Sequence, residues 1–403
     1  MPKNQPLSRP RTITWLSLGH ACVDVYQGSV AALVPYFVLE REYTYAAASG
    51  IVLAASLLSS VVQPLFGALT DRWPMPWLLP LSTLIAGVGV ALSGITGSYV
   101  LTLIVVAISG IGVAAFHPEA ARAARKASRG SHSAMGWFSL GGNLGFATSP
   151  LLVSAVIATG GLQASPLLVV PALAGAALCL SAVRSARTPA AGTASAGAKA
   201  GSDDWVSFAR LSGAVICRSI VFVSLSAFVS LYAQERTGGS PAAGTAALFI
   251  LYIGGAIGTV LGASLANRFG RIQIVRWSYA LTVLAVAGVV FVPGPLIYVF
   301  VALASAGLYV PFSLHMTLGQ DYLPQRVGTA SGVTLGLTVS IGGLTTPVIG
   351  AIADNASLQV ALIPLIVMPA IGWILVHSLQ EPKAPGSSSE PRTQSTAAIR
   401  NDA

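Results

Sequence analysis

Long apolar runs follow one another along nearly the whole chain, parted only by short polar stretches, and this feature limits the fold more than any other. Crossing roughly 30 Å of hydrocarbon at about 1.5 Å per residue takes about 20 residues of helix. Twelve stretches come close to that length, at roughly 12–39, 45–69, 77–96, 99–121, 133–158, 166–183, 210–232, 241–266, 274–292, 295–318, 328–352 and 358–379. None alternates as a barrel strand does, so the backbone must satisfy itself in helices. Composition agrees: of 403 residues, 54% are hydrophobic and 9% charged, and the mean hydropathy is +0.74. So little charge cannot coat several soluble cores, which excludes a soluble enzyme or a nucleic-acid binder despite the net charge of +9. The expected fold is an all-α membrane protein with twelve transmembrane helices.

The basic excess then reads as topology. With the amino terminus inside, nearly every Lys and Arg falls on the cytoplasmic side, from Lys3 and Arg9 through Arg129, Arg187 and Lys199 to Lys383, Arg392 and Arg400. Only Arg41 and Arg236 fall outside, and Arg218 alone falls within a span. Both termini are therefore expected to be cytoplasmic. The first run is too long for a secretory signal and contains His20 and Asp24, so it reads as a retained first helix. Residues 184–209, rich in Ala, Gly, Ser and Thr, read as a flexible linker between an amino-terminal bundle at 1–183 and a carboxy-terminal bundle at 210–379. The polar tail 380–403 is expected to be disordered. Cys22, Cys179 and Cys217 lie in apolar runs, with neither a disulfide framework nor a metal-ligand spacing.

The two halves repeat at an offset of about 196. Asp71 and Arg72 correspond to Asn267 and Arg268, Arg129 to Arg326, and Pro150 to Pro347, each of these prolines following a double glycine. Parallel six-helix repeats of this kind enclose a central cavity and rock against each other.

Polar residues inside the spans stand out against this background. His20 and Asp24 are four residues apart and share one helix face, a stripe that Gln27 continues. Asp24 lies about 18 Å into the first helix, where an ionised carboxylate costs about 2.5–3.5 kcal/mol on insertion scales. Such a group must be paired, protonated or wet. Arg218 falls at a similar depth in the seventh span. A static Asp24–Arg218 ion pair that merely lets both groups insert is the plainer alternative to a functional role. Asn143 serves either as a cavity hydrogen-bond donor or as a contact between helices. No Walker sequence occurs, and the paired glycines are spaced for helix contact rather than for a nucleotide, so no cofactor is expected.

Several blocks resemble the major facilitator superfamily, and within it the fosmidomycin-resistance group of bacterial efflux proteins. GALTDRW at 67–73 resembles the superfamily's loop between helices 2 and 3, although PMPW at 74–77 replaces the usual continuation, as it does in the narrower group. GHACVDVYQ at 19–27, FHPEAARAARKASRG at 116–130 and GQDYLPQRVGTASG at 319–332 match that group more specifically. In the fifth span Gly136, Gly145 and Pro150 fall at the spacing of the antiporter signature, whereas Ser149, Val153 and Ser154 depart from it.

The resemblance implies a proton-driven exporter of a small polar, anionic compound such as the phosphonate antibiotic fosmidomycin, located in the bacterial inner membrane. It is neither an enzyme nor a nucleic-acid binder and is expected to act as a monomer among lipids. Asp24 and His20 would then carry the coupled proton, and Arg218, Gln27, Asn143 and His315 would bind substrate. Gly67, Asp71 and Arg72, with His117, Glu119 and Arg122, would form a cytoplasmic gate, Asp71 meeting a helix amino terminus of the second half. For Glu119 and Arg122 a surface pair at headgroup level is the simpler alternative. His132 and His377 are weaker candidates. Proton-coupled uptake of sugars, organic acids or phosphonates is the second reading, and a non-transporting membrane sensor the third.

Overall fold

The computed structural model describes residues 10–128, 131–186, 202–326, 329–330 and 332–382. The expectations for Lys3, Arg9, Arg129, Arg187, Lys199 and the tail from 383 onward, and those for the Asp71 and His132 side chains, lie outside the described residues. In the first half the chain runs through α1 (Pro10–Arg41), α2 (Tyr45–Arg72), α3 (Leu78–Ser93), α4 (Tyr99–Ser128) and α5 (His132–Ile157). A 3-10 segment, Gly161–Val169, then leads into α6 (Val170–Ala186). The second half holds α7 (Trp205–Thr237), α8 (Pro241–Phe269), α9 (Arg271–Phe291), α10 (Ile297–Tyr309) and α11 (Phe312–Tyr322). A π-helical turn at Gly332–Leu337 precedes α12 (Thr338–Asn355), α13 (Leu358–Leu362) and α14 (Pro364–His377).

Among the described residues ten segments are long and apolar enough to cross a membrane. The shorter apolar helix Leu78–Ser93 and α12 occupy the places of the third and eleventh expected spans, so the arrangement is consistent with twelve crossings. The protein is an all-α, multi-pass membrane protein.

The elements begin and end where backbone chemistry requires. Thr44 accepts from the Ala47 N–H at 3.1 Å, and Asp204 accepts from the Ser207 N–H at 3.0 Å, each satisfying a donor that a first helical turn leaves free. Gly238 closes α7 with φ of 95°, a left-handed conformation open to glycine at little cost. The tenth span, expected as one helix, breaks at Val310 and Pro311, because proline has no N–H to continue the ladder. Helices 4 and 7 run further than expected, to Ser128 and from Trp205 to Thr237. The end of the expected linker is also held in place: the Asp204 N–H donates to the Tyr322 carbonyl at 2.7 Å, and Asp203 lies 3.4 Å from Arg326.

Within the first half α1 packs on α5 and α6, and α4 on α2 and α3; between halves α2 packs on α12, α5 on α8 and α1 on α7. The α1–α5 contact is made by small residues. A Cβ on Gly141 or Gly145 would collide with the Ser17 or Ala21 carbonyl, and one on Gly28 would collide with the Ser149 hydroxyl. In a membrane such close approach takes the place of the hydrophobic effect between helices. The antiporter-like motif therefore divides: Gly145 is a packing residue, Gly136 has open space around it, and Pro150 lies inside α5 beside a small cavity between the halves.

The halves are joined at the end where α1 gives way to α2. Asp354, at the end of α12, accepts from the Tyr45 and Ala46 N–H groups at 2.7 and 3.0 Å and so caps α2 across the interface. Gly350 allows α12 to lie against the backbone of Tyr45 and Ala46. Tyr45 also meets Phe228 of α7 edge-on.

Candidate functional site

A central cavity of about 150 Å³ lies between the halves. Its polar wall comes from α2, where Ser56, Ser59, Ser60 and Gln63 recur at helical spacing, and from Gln27 of α1. Its apolar wall is aromatic: the Phe146 ring lies 4.2 Å from that of Tyr252 and 6.4 Å from that of Phe222, linking α5 to α7 and α8. The α2 stripe was missed in the sequence reading although its signal was available, namely four polar side chains on one face of an otherwise apolar span.

One helical turn from Gln27, toward the start of α1, Asp24 is buried between two histidines. His20 Nε2 lies 3.3 Å from one carboxylate oxygen and His117 Nε2 3.1 Å from the other. His20 Nδ1 is 2.9 Å from the Phe138 carbonyl oxygen, and His117 Nδ1 is 2.8 Å from that of Val113. A carbonyl can only accept, so each Nδ1 carries a hydrogen, and a neutral ring would turn a lone pair toward the carboxylate. Each Nε2 contact therefore calls for a proton or another cation between its atoms. Phe138 stacks on His20 at 4.4 Å and Phe116 flanks it at 5.9 Å. Gly142 makes this packing possible, since a Cβ there would sit 2.6 Å from an Asp24 oxygen. The donor atoms of His20, Asp24 and His117 all lie within 4.8 Å of one another, the one grouping among the described residues compact enough to hold a small cation.

These positions depart from expectation in three respects. His117 stands beside Asp24 rather than at the gate, because α4 continues eleven residues beyond it, about 16 Å of helix. For the same reason Glu119 is not a surface group: it is fully buried, and its carboxylate pairs with Arg122. Arg218, finally, is not a partner of Asp24. Its Nε donates to the Leu308 carbonyl at 2.7 Å, in the last turn of α10 where carbonyls lack helical partners, and its guanidinium lies 5.1 Å from the Phe312 ring. The static Asp24–Arg218 pair is thereby excluded in this conformation.

Arg218 is buried without a carboxylate partner among the described residues. Nearby, His315 is 2% exposed and neither ring nitrogen has a hydrogen-bond partner, and the Tyr279 hydroxyl is likewise unsatisfied. His315 lines the core of the second half rather than the central cavity. Asn143 is half-buried on α5 and is not a lining residue of that cavity. Gly67 has open space around it, Arg72 stacks on Trp73 at 4.8 Å, and His377, at the end of α14, is exposed beside Trp373.

Two helical halves around a central cavity, with ionisable groups buried beside it, have the build of a membrane transporter. The chain belongs to the Major Facilitator Superfamily, whose family model matches residues 16–347. It is 29% identical over 377 residues to the fosmidomycin resistance protein of Escherichia coli strain K12, covering 90% of this chain and 91% of that one. It is 26% identical over 389 residues to the uncharacterized MFS-type transporter YfnC of Bacillus subtilis strain 168, covering 92% and 94%. Among solved structures, a bacterial homolog of the human lysosomal transporter Spinster in an inward-facing, occupied conformation superposes with a TM-score of 0.77 at 15% identity, over 93% of this chain and 97% of that one. A point mutant of the nucleoside transporter NupG gives 0.73 at 12% identity, over 91% and 99%. The protein is a transporter of a small-molecule substrate, not an enzyme, and the family works without a cofactor.

Proposed function

We infer that the protein exports a small polar, anionic compound in exchange for protons across a bacterial inner membrane, with both termini in the cytoplasm. The observation that carries this reading is the Asp24 carboxylate held between two imidazoles whose Nδ1 atoms are tied to backbone carbonyls. Such a group takes up and releases protons as access alternates, and intramembrane ionisable residues are functional by default. Asp24 and His20 carry the coupled proton, and His117 joins them. Arg218, anchored but without an acid among the described residues, supplies charge for an anionic substrate, while Gln27 and the α2 serines offer neutral hydrogen bonds in the cavity. Asn143 and His315 act from the helices behind it. Gly67, Asp71 and Arg72 form the cytoplasmic gate, with Glu119 and Arg122 bracing α4. On this orientation the Asp354 cap closes the periplasmic end.

The relative named for fosmidomycin resistance makes that phosphonate the first substrate to try. A proton moving down about 100 mV and one pH unit releases roughly 2.3 plus 1.4 kcal/mol, enough to accumulate an uncharged solute several-hundred-fold. Inverted membrane vesicles under an imposed pH gradient provide the test. Proton-driven accumulation of fosmidomycin supports export, and accumulation only with the opposite gradient establishes uptake instead.

A further inference from the structure

We propose that the His20–Asp24–His117 site also binds a divalent transition-metal ion, with Zn2+ the best fit, in the place its protons occupy. Zinc bonds to imidazole nitrogen at about 2.0–2.1 Å and to carboxylate oxygen at about 2.0–2.2 Å, so neighbouring donors in a tetrahedral site stand about 3.3 Å apart. The Nε2 of His20 lies 3.3 Å from one Asp24 oxygen and that of His117 3.1 Å from the other, and one donor atom from each of the three residues falls within 4.8 Å of the rest. Both rings present Nε2 inward while Nδ1 faces a main-chain carbonyl, Phe138 for one and Val113 for the other. That outer contact fixes the ring and its tautomer, which is the support a metal-bound histidine normally has. The carboxylate oxygen nearest His117 is buried and has no aligned hydrogen-bond donor.

The donor set also selects the ion. Two imidazoles and one carboxylate suit zinc, nickel, cobalt or copper, whereas magnesium and calcium prefer oxygen alone. A divalent ion on one carboxylate and two neutral rings leaves the site at the same net charge as two protons would, so binding buries no additional charge. The two Nε2 atoms and the two carboxylate oxygens together make four donors, with Phe116 and Phe138 beside His20. Loaded with Zn2+, the site no longer takes up protons, and transport stops. That last step rests on the proton-coupled reading above; the binding itself does not.

The test uses the full purified chain in detergent, titrated with Zn2+ against a chromophoric chelator. One Zn2+ per chain is expected, with His20→Ala, His117→Ala and Asp24→Asn each weakening binding at least tenfold, His377→Ala leaving it unchanged and Mg2+ failing to compete. Binding that is absent, or that all three variants retain, overturns the proposal. Should an alanine variant fail to fold, X-ray absorption of the zinc-loaded wild type decides: imidazole scattering from two rings supports the site, and its absence refutes it. A separate arm measures fosmidomycin flux in vesicles. Zinc bound at the triad of a protein that does not move fosmidomycin upholds the site while removing the proton-driven fosmidomycin reading; flux that persists at saturating Zn2+ overturns the block.

Discussion

At the residue scale, the working unit is a buried carboxylate shared by two rings. Asp24→Asn keeps the shape but removes the negative charge that draws protons to both Nε2 atoms. The variant should insert normally yet fail to accumulate fosmidomycin against a gradient in inverted vesicles; uphill accumulation by the variant would move coupling elsewhere. Arg218 makes a different claim. Its guanidinium has a carbonyl and an aromatic ring as neighbours but no acid among the described residues, so charge is left to offer a ligand. Hydrogen bonds to charged groups contribute about 1.5–3 kcal/mol, so Arg218→Ala should weaken anionic substrates by roughly 10- to 100-fold and neutral ones far less. Equal loss for both, measured by competition binding, would make Arg218 a brace for α10 alone.

At the element scale, helices meet through absent side chains and capped ends. A Cβ on Gly28 would stand 2.0 Å from the Ser149 hydroxyl oxygen, so Gly28→Ala pushes α1 off α5. Overpacking of this kind costs about 1–3 kcal/mol, and Ser149→Gly should restore part of the lost thermal stability in the double variant. Asp204 caps α7, and the Ser207 N–H that it accepts holds its carboxyl below the ordinary carboxylate value, aided by the Ser207 hydroxyl. A lowered folded pKa means that the cap's contribution is complete above the unfolded value and fades as pH falls through the folded one. Asp204→Ala should therefore lower the melting temperature at neutral pH, by the equivalent of about 0.5–1 kcal/mol for so exposed a cap, and make no difference in strong acid. Asp354 joins the halves, accepting two backbone donors at the start of α2. Asp354→Ala should loosen that end, and a cysteine introduced at Ser230, which lines the small cavity there, should react faster with an impermeant thiol reagent added from outside.

At the scale of the whole molecule, the charge asymmetry of the loops predicts that single cysteines placed in the 187–201 stretch and at Gly239 will label from opposite sides of the membrane, the first from the cytoplasm. The same hydrophobic runs that carry this expectation also determined the helical class and the approximate order of its elements, because lipid leaves a polar backbone few other choices. The 196-residue repeat marked Arg268 and Arg326 as counterparts of loop residues in the first half, and the four-residue spacing of His20 and Asp24 placed both on one face of α1. Spacing along one helix could not disclose His117. That ring reaches Asp24 because α4 packs against α1 at this level, a contact between helices far apart in the chain. Nor could sequence separate Arg218 from Asp24, since equal depth in two helices says nothing about which way each side chain turns. What the sequence alone determined were the properties set by local chemistry: which segments enter lipid, and which residues are too costly to bury without purpose. Which of those residues meet was decided by the tertiary packing, because a contact between helices depends on the rotation and approach of both, and neither is written in the spacing of one.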